Sequence, residues 1–165
     1  MEFCDRGSLQ DAIEQGVFVV DGPRGARGAG NEAEVDMELI IMTLAEVSGA
    51  MEYLHKHRIT HRDLKPKNIL LRSAGKDRRG YVAKVSDFGL SQVLPDTNKT
   101  QVGVVTHNLR PKFPASCPEW YKSLAYRCWR KDPKARPPFA EVTKTLLSML
   151  SDKDWKPVEA AGRDS

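Results

Sequence analysis

Three side chains that carry oxygen donors stand in two short motifs near the middle of the chain. Asp63 and Asn68 lie within the stretch His61 to Asn68, which reads His-Arg-Asp-Leu-Lys-Pro-Lys-Asn, and Asp87 opens the motif Asp-Phe-Gly. Carboxylate and amide oxygens bind hard cations such as Mg²⁺, and a well-placed carboxylate accepts a proton from a reacting hydroxyl. The alternative is that these polar residues only cap turns in surface loops.

The first motif agrees closely with a known catalytic pattern. His61 to Leu64 and Asn68 match H-R-D-L-x-x-x-N at five fixed positions, a match that chance produces on the order of once in 10⁴ chains of this size. Asp-Phe-Gly follows at Asp87 across a predicted β-hairpin, which is the intervening structure that the pattern requires. On these two motifs the chain resembles the protein kinase family.

The resemblance implies ATP-dependent phosphorylation, in which a kinase orients the attacking hydroxyl and neutralises the phosphates. It gives Asp63 the role of accepting the hydroxyl proton, and it makes Asn68 and Asp87 the ligands of Mg²⁺. It has Arg62 brace the loop and places Lys65 beside the transferred phosphate, as in kinases that act on serine and threonine. The expected partners are therefore ATP, Mg²⁺ and a protein substrate with Ser or Thr.

The first residues of the chain are similar to the hinge of a kinase, which contacts the adenine of ATP. By this resemblance Met1 guards the back of the adenine pocket, and backbone groups of Glu2 and Cys4 meet the adenine. Leu70, two residues after the first motif, matches the residue under the adenine ring, and Ser8 stands where a polar side chain approaches the ribose. These residues complete the implied nucleotide site.

Two stretches narrow the resemblance to one group of kinases. Residues 1–9 and the segment from Cys128 to Phe139 are similar to the tyrosine-kinase-like group, the relatives of Raf and of the mixed-lineage kinases, which phosphorylate Ser or Thr. In the family, His61 and Phe88 belong to a hydrophobic stack that aligns the site, so we expect them to pack rather than react.

Two parts of the family pattern are missing from the 165 residues. No G-x-G-x-x-G stands before an apolar strand with Lys, because the glycines between Gly22 and Gly30 lie in a stretch without periodicity, expected to be a flexible insertion at 21–34. After Asp-Phe-Gly, a deletion near 102–108 is expected to remove A-P-E and the central helix. The resemblance therefore predicts a mainly α fold with a small β-hairpin, an incomplete kinase-like C-terminal lobe over 1–150, and a disordered tail at 151–165.

The missing parts shape the functional expectation. We expect a protein serine/threonine kinase by family, with little or no catalysis by the isolated chain because clamping of the phosphates needs the missing elements. One alternative is a non-catalytic truncated kinase that docks other proteins, and another is an incomplete gene model or splice variant of a full kinase. Apolar faces that the central helix normally covers would be exposed, so the isolated chain is expected to be marginally stable.

One arginine tests the second deletion. In the family, Arg136 pairs with the Glu of A-P-E, which this sequence lacks. A buried Arg without its carboxylate would cost several kcal/mol, so we expect Arg136 to be strained or to turn outward to water.

The helices that must position the motifs are visible in capping residues and periodicity. Ser8 and Asp11 predict the start of a helix that Gly16 ends. Apolar residues at steps of three and four predict a long amphipathic helix from about Val35 to about His57.

Further elements follow the first motif. Ile69 to Leu71 and Tyr81 to Val85 are β-prone and predict a hairpin with a long basic loop. Apolar periodicity predicts one helix from Pro118 to about Trp129 and a last helix from Phe139 to Leu150.

Composition limits the remaining possibilities. A chain of 165 residues and 18.5 kDa suits one domain, and three cysteines without a CxxC pair argue against disulfides and zinc and favour the reducing cytoplasm. The net charge of +4 stems partly from the clusters Lys76 to Arg79 and Lys131 to Arg136. Without interleaved aromatics these clusters predict a solvated surface rather than a nucleic-acid site. The longest apolar run, Leu39 to Met42, is too short for a membrane span, and no signal peptide is evident.

Overall fold

The fold comes from a computed structural model that describes residues 3–20, 35–88, 91–93, 113–114 and 116–151. The helices in this part of the chain are α1 (Leu9–Glu14), α2 (Met37–Lys56), α3 (Glu119–Cys128) and α4 (Phe139–Ser151). The strands are β1 (Ile59–Thr60), β2 (Ile69–Ser73), β3 (Tyr81–Val85) and β4 (Gln92–Val93), and short 3₁₀ turns cover Pro66–Asn68 and Pro133–Ala135.

The first two helices begin at side-chain caps. The Ser8 hydroxyl accepts from the amide of Asp11, and the Asp11 carboxylate accepts from the amide of Ser8 at 2.7 Å, which is the capping box that the sequence predicts. The carboxylate of Asp36 accepts from the amide of Leu39 at 3.1 Å and caps α2. All four helices lie where capping residues or periodicity predict them, so those predictions are confirmed within one or two residues at most ends.

The strands form two small antiparallel sheets. β2 and β3 pair from Ile69 with Val85 to Ser73 with Tyr81, which confirms the predicted hairpin. β1 and β4 form a second sheet, with Ile59 opposite Val93. The sequence predicted a single hairpin, and that prediction was incomplete because two-residue strands carry no usable periodicity.

Helix α2 lies between two apolar clusters. The first cluster joins α1, α2 and the hairpin through the buried residues Leu9, Ala12, Val47, Ile69, Leu71, Tyr81 and Ala83. The second joins α2, α3 and α4 through Ile41, Ala45, Leu124, Val142 and Leu146. Because α2 contributes to both, it holds the hairpin and the C-terminal helices on opposite parts of its surface.

The basic loop of the hairpin differs from expectation. A solvated surface was predicted for the cluster from Lys76 to Arg79, and this is wrong for Arg79, whose side chain is only 1% exposed. Arg79 lies between α2 and the hairpin, where it pairs with Glu46 at 2.8 Å and with Asp77 at 2.7 Å. Burial of this charge is tolerated because two carboxylates and a set of hydrogen bonds accompany it.

The side chain of Arg136 turns outward to solvent, which is one of the two outcomes expected for it. Its side chain is exposed, and its Nε donates to the carbonyl of Arg130 at 2.8 Å. The penalty of a buried, unpaired guanidinium therefore does not arise.

Several expectations concern the ends and connections of the chain. Ser151 was assigned to a disordered tail, but it is the last residue of α4. The insertion at 21–34, the deletion near 102–108 and the rest of the tail lie outside the described residues. None of the helices in the described ranges is long and apolar enough to cross a membrane.

Candidate active site

The loop between β1 and β2 brings Asp63, Lys65 and Asn68 together. Lys65 Nζ donates to Asp63 Oδ2 at 2.6 Å, and Asn68 Nδ2 donates to the same oxygen at 2.9 Å. Asn68 Nδ2 also donates to the backbone carbonyl of Asp63 at 2.8 Å. Asn68 is buried, whereas the side chains of Asp63 and Lys65 remain partly open to solvent. The loop therefore presents an oriented carboxylate to an incoming molecule.

His61 ties this loop to the end of the hairpin. Its side chain is buried, with Nε2 at 2.8 Å from the carbonyl oxygen of Ser86 and Nδ1 at 3.3 Å from the amide nitrogen of Asp63. Because the amide of Asp63 can only donate, Nδ1 is the acceptor and Nε2 carries the proton that is donated to Ser86. One imidazole thus connects the first motif to the residue that directly precedes Asp-Phe-Gly.

The pairing of β2 with β3 brings Asn68 close to the Asp-Phe-Gly motif. Asn68 directly precedes β2, and Ser86 and Asp87 directly follow β3. The amide and the hydroxyl of Ser86 donate to the carbonyl of Asn68 at 2.8 and 3.0 Å. Asp87 is exposed and has a φ of 59°, a left-handed conformation that Asp tolerates better than most residues. The two predicted metal ligands therefore stand at adjacent ends of paired strands.

The donor set at this end of the hairpin suits Mg²⁺. The NH₂ group of Asn68 is committed to Asp63, which leaves its Oδ1 as the atom that can coordinate a cation. Asp87 adds an exposed carboxylate. Within the described ranges no group of three or more His, Cys, Asp and Glu side chains could hold a metal by itself. Mg²⁺ typically binds to one or two carboxylates together with substrate phosphates, so these two oxygen donors fit the ion.

Comparison with known protein families decides the assignment. The family model of the protein kinase domain matches residues 1–112, which include both motifs and the hairpin between them. The chain belongs to the protein kinase family.

Individual kinases are similar to the chain at low identity. Mitogen-activated protein kinase kinase kinase 12 of Rattus norvegicus is 25% identical over 193 residues, covering 86% of this chain. Serine/threonine-protein kinase STY17 of Arabidopsis thaliana is 24% identical over 204 residues, covering 92%. Serine/threonine-protein kinase PknJ of Mycobacterium tuberculosis is 35% identical over 110 residues, covering 66%. The chain spans 19%, 32% and 15% of the lengths of these relatives.

The predicted nucleotide-binding residues of this kinase chain lie along β2, at the edge that does not pair with β3. The amide of Leu71 donates to Gly7, the amide of Arg6 donates to Leu71, and Ser8 forms an isolated bridge with Leu70. These bonds place Ser8 beside Leu70, with Cys4 a few residues upstream and partly exposed. Glu2 and Met1 lie outside the described residues.

The electrostatics of the loop favour an ionised Asp63. The pKa of Asp63 lies below its ordinary value, chiefly because of the hydrogen bond from Lys65, with further help from Asn68. Partial burial acts in the opposite direction but does not prevail. At neutral pH the carboxyl group of Asp63 is therefore ionised, because its pKa is lowered by Lys65 and Asn68.

One contact that joins the two motifs was not predicted from the sequence, and another was. The carbonyl of Ser86 accepts from His61, and no residue type signals this because it is a backbone atom. The rings of His61 and Phe88 lie 5.3 Å apart, as expected for a stack, but Phe88 is 47% exposed and covers the site only in part.

Arg62, like Asp87, has a positive φ, of 69°, so two of the strained residues in the described chain belong to the kinase motifs.

Proposed function

We propose that this chain carries the phosphoryl-transfer site of a protein serine/threonine kinase, with Asp63, Lys65 and Asn68 as its catalytic residues. The observation that carries the proposal is the shared contact of Lys65 and Asn68 with one carboxylate oxygen of Asp63. Two donors on a single oxygen fix the orientation of the carboxylate before any substrate binds. Such preorganisation is the main contribution of a kinase to phosphoryl transfer.

In this proposal each residue has one task. Asp63 accepts the proton of the substrate hydroxyl, and its lowered pKa keeps it unprotonated at neutral pH. Asn68 and Asp87 hold Mg²⁺ through their oxygen atoms. ATP supplies the γ-phosphoryl group, with the charge of its phosphates neutralised by the cation. Lys65, whose side chain is half exposed, can leave Asp63 and approach the transferred phosphate.

The nucleotide is proposed to bind between the first residues and the hairpin. Backbone groups of Glu2 and Cys4 face the adenine, Leu70 lies beneath the ring, and Ser8 approaches the ribose. The bridge between Ser8 and Leu70 supports this placement because it brings two of these residues side by side. The Ser8 hydroxyl caps α1, so its contact with the ribose would have to share that oxygen.

Specificity for Ser and Thr rests on Lys65 and on the relatives. Kinases named as serine/threonine-protein kinases are similar to the chain, and one is named as a mitogen-activated protein kinase kinase kinase. We place the chain in the tyrosine-kinase-like group on the similarity of residues 1–9 and 128–139. We also assign it to the cytoplasm.

We further propose that the described residues form part of a kinase C-terminal lobe from which an internal block is deleted near 102–108. The alignments support this, because those with the rat and Arabidopsis kinases are 193 and 204 residues long although the chain has 165. Positions of both relatives therefore fall opposite gaps in this chain. We expect the 165 residues alone to transfer phosphate weakly or not at all. A non-catalytic docking role is the second candidate, favoured by that internal gap.

Nucleotide binding is the property that separates the two candidates. Isothermal titration of the 165-residue chain with ADP should give heat of binding that depends on Mg²⁺ and is lost in Asp87→Asn. Glu119→Gln removes a carboxylate that is 88% exposed on α3, and it should leave the binding unchanged. Absence of Mg²⁺-dependent binding by a folded wild-type chain would favour the docking role.

A further inference from the structure

A cluster of charged side chains lies between α2 and the hairpin, outside the candidate catalytic loop. We call it the α2 clamp, and it consists of Glu46 on α2 with Asp77 and Arg79 in the loop between β2 and β3. Arg79 Nη1 and Nη2 each lie 2.8 Å from a carboxylate oxygen of Glu46. Arg79 Nε and Nη2 donate to the two oxygens of Asp77 at 2.9 and 2.7 Å. The guanidinium therefore makes a two-point contact with each carboxylate, the geometry for which Arg is better suited than Lys.

Arg79 has further contacts with Thr43 and Tyr81. Its Nη1 lies 3.3 Å from the hydroxyl of Thr43, which in turn lies 3.0 Å from the hydroxyl of Tyr81. Its guanidinium carbon stands 5.0 Å from the centre of the Tyr81 ring. Burial would lower the pKa of Arg79, but hydrogen bonds with Asp77 and Glu46 outweigh burial and raise it. Arg79 is therefore a nearly fully buried cation between helix and hairpin, whereas the side chains of Glu46 and Asp77 are 30% and 16% exposed.

One hydrogen bond of the α2 clamp fixes the strand that leads to the catalytic loop. Glu46 Oε2, the oxygen bound by Arg79, also accepts from the backbone amide of Ala83 at 2.8 Å. Ala83 lies in the middle of β3, so the amide turned away from β2 is satisfied by α2. Ser86 lies three residues after Ala83 and directly follows β3. Its carbonyl accepts from His61, and its amide donates to the carbonyl of Asn68.

We propose that Glu46, Asp77 and Arg79 are positioning residues, which fix β3 on α2 so that Ser86 meets His61 and Asn68 and the carboxylate of Asp63 is oriented. The catalytic consequence rests on the proposed function. The positioning of β3 and Ser86 does not rest on the proposed function, because it can be measured without nucleotide, Mg²⁺ or a substrate.

A comparison of two arginines separates positioning from stabilisation. Arg127 pairs with Glu141 between α3 and α4, on a more exposed surface away from the hairpin. Arg79→Met deletes the ion pairs with Glu46 and Asp77, and Arg127→Met deletes the pair with Glu141, but only the first change should loosen β3. We would record the resonances of the His61 Nε2 proton and of the Asn68 side-chain amide in the folded 165-residue chain. Both report hydrogen bonds of the catalytic loop directly.

The expected result is a shift of both resonances, or loss of the slowly exchanging His61 proton, in Arg79→Met and no change in Arg127→Met. Arg79→Lys should give a smaller shift, because an ammonium group cannot bind two carboxylates in the same bidentate way. If both resonances stay in place in a folded Arg79→Met chain, the clamp only stabilises the fold and the proposal is wrong.

A second pair of variants decides the matter if Arg79→Met does not fold. Glu46→Gln keeps an oxygen that can accept from the amide of Ala83, whereas Glu46→Leu removes it. The proposal predicts a larger shift of the His61 and Asn68 resonances in Glu46→Leu than in Glu46→Gln. Equal shifts would contradict it. If the two variants differ in these shifts as expected but the wild-type chain does not bind ADP, the result would count against the proposed function and not against the positioning role.

Discussion

Two regions of the molecule supplement their apolar packing with different further contacts. The motif region, the described residues from 3 to 93, packs through the first apolar cluster and is also tied by hydrogen bonds between segments that are distant in sequence, such as His61 with Ser86 and Glu46 with Ala83. The C-terminal region, the described residues from 113 to 151, relies on apolar packing against α2 and on ring contacts of Phe113 with Trp129 and Tyr126. Directional bonds fix the position of a side chain to within tenths of an ångström, whereas apolar burial stabilises without specifying orientation.

The comparison teaches where geometry and stability come from in this kinase chain. Helix α2 belongs to both apolar clusters, so the C-terminal region supports the helix on which the motif region is built. Substitutions in the C-terminal region should therefore change the free energy of unfolding and leave the loop geometry of folded molecules intact. Substitutions in the motif region should change that geometry.

The largest effect is expected from Leu146→Ala on α4. Leu146 is 2% exposed in the second cluster, and its truncation should lower the free energy of unfolding by about 3 kcal/mol through lost burial and a residual cavity. Leu147→Ala on the same helix removes a side chain that is 49% exposed and should cost far less. Urea denaturation followed by circular dichroism measures both. Equal losses would break the comparison, because α4 would then not be held by this face.

A smaller effect on stability, with a larger effect on geometry, is expected from Asn68→Ala. This change removes the two hydrogen bonds to Asp63 and should cost about 2 kcal/mol, since the partly buried carbonyl of Asp63 loses that donor. Lys67→Ala alters the exposed neighbour and is the matched control. Denaturation gives the cost, and the amide resonance of Asp63 reports the geometry. An unchanged Asp63 resonance in Asn68→Ala would show that the loop does not depend on this side chain.

The smallest effect is expected at the start of α1. Ser8→Ala removes the cap and should lower the free energy of unfolding by about 1 kcal/mol. Ser8→Thr keeps a hydroxyl that accepts from the amide of Asp11 and donates to its carboxylate, and it should recover most of the loss. Hydrogen exchange of the first α1 amides would follow the cap directly. A cost in Ser8→Thr as large as in Ser8→Ala would mean that Ser8 acts through something other than the cap.

The sequence predicted the elements better than the contacts between them. The capping box at Ser8, the long helix α2 and the hairpin from Ile69 to Val85 follow from local rules, and the structure has them. The pairing of β1 with β4 was missed because strands of two residues leave no pattern. Arg79 was assigned to a solvated surface because a basic cluster does not reveal which member has buried carboxylate partners. The contacts of Lys65 and Asn68 with the carboxylate of Asp63 were not predicted, because the family resemblance implied only their roles at the transferred phosphate and at Mg²⁺.

The pKa of Asp63 tests the central claim, that the loop orients an ionised carboxylate before any ligand binds. Carbon-13 NMR of the Asp63 carboxyl group, followed against pH in the folded chain, should give a pKa below the ordinary value of about 3.9 for Asp. Because the pKa is lowered on folding, the contact with Lys65 contributes stability above that ordinary value and is lost as the pH falls through the folded pKa. Lys65→Met should move the pKa upward, while Lys67→Met should not. A pKa at or above the ordinary value, unchanged in Lys65→Met, would contradict the account.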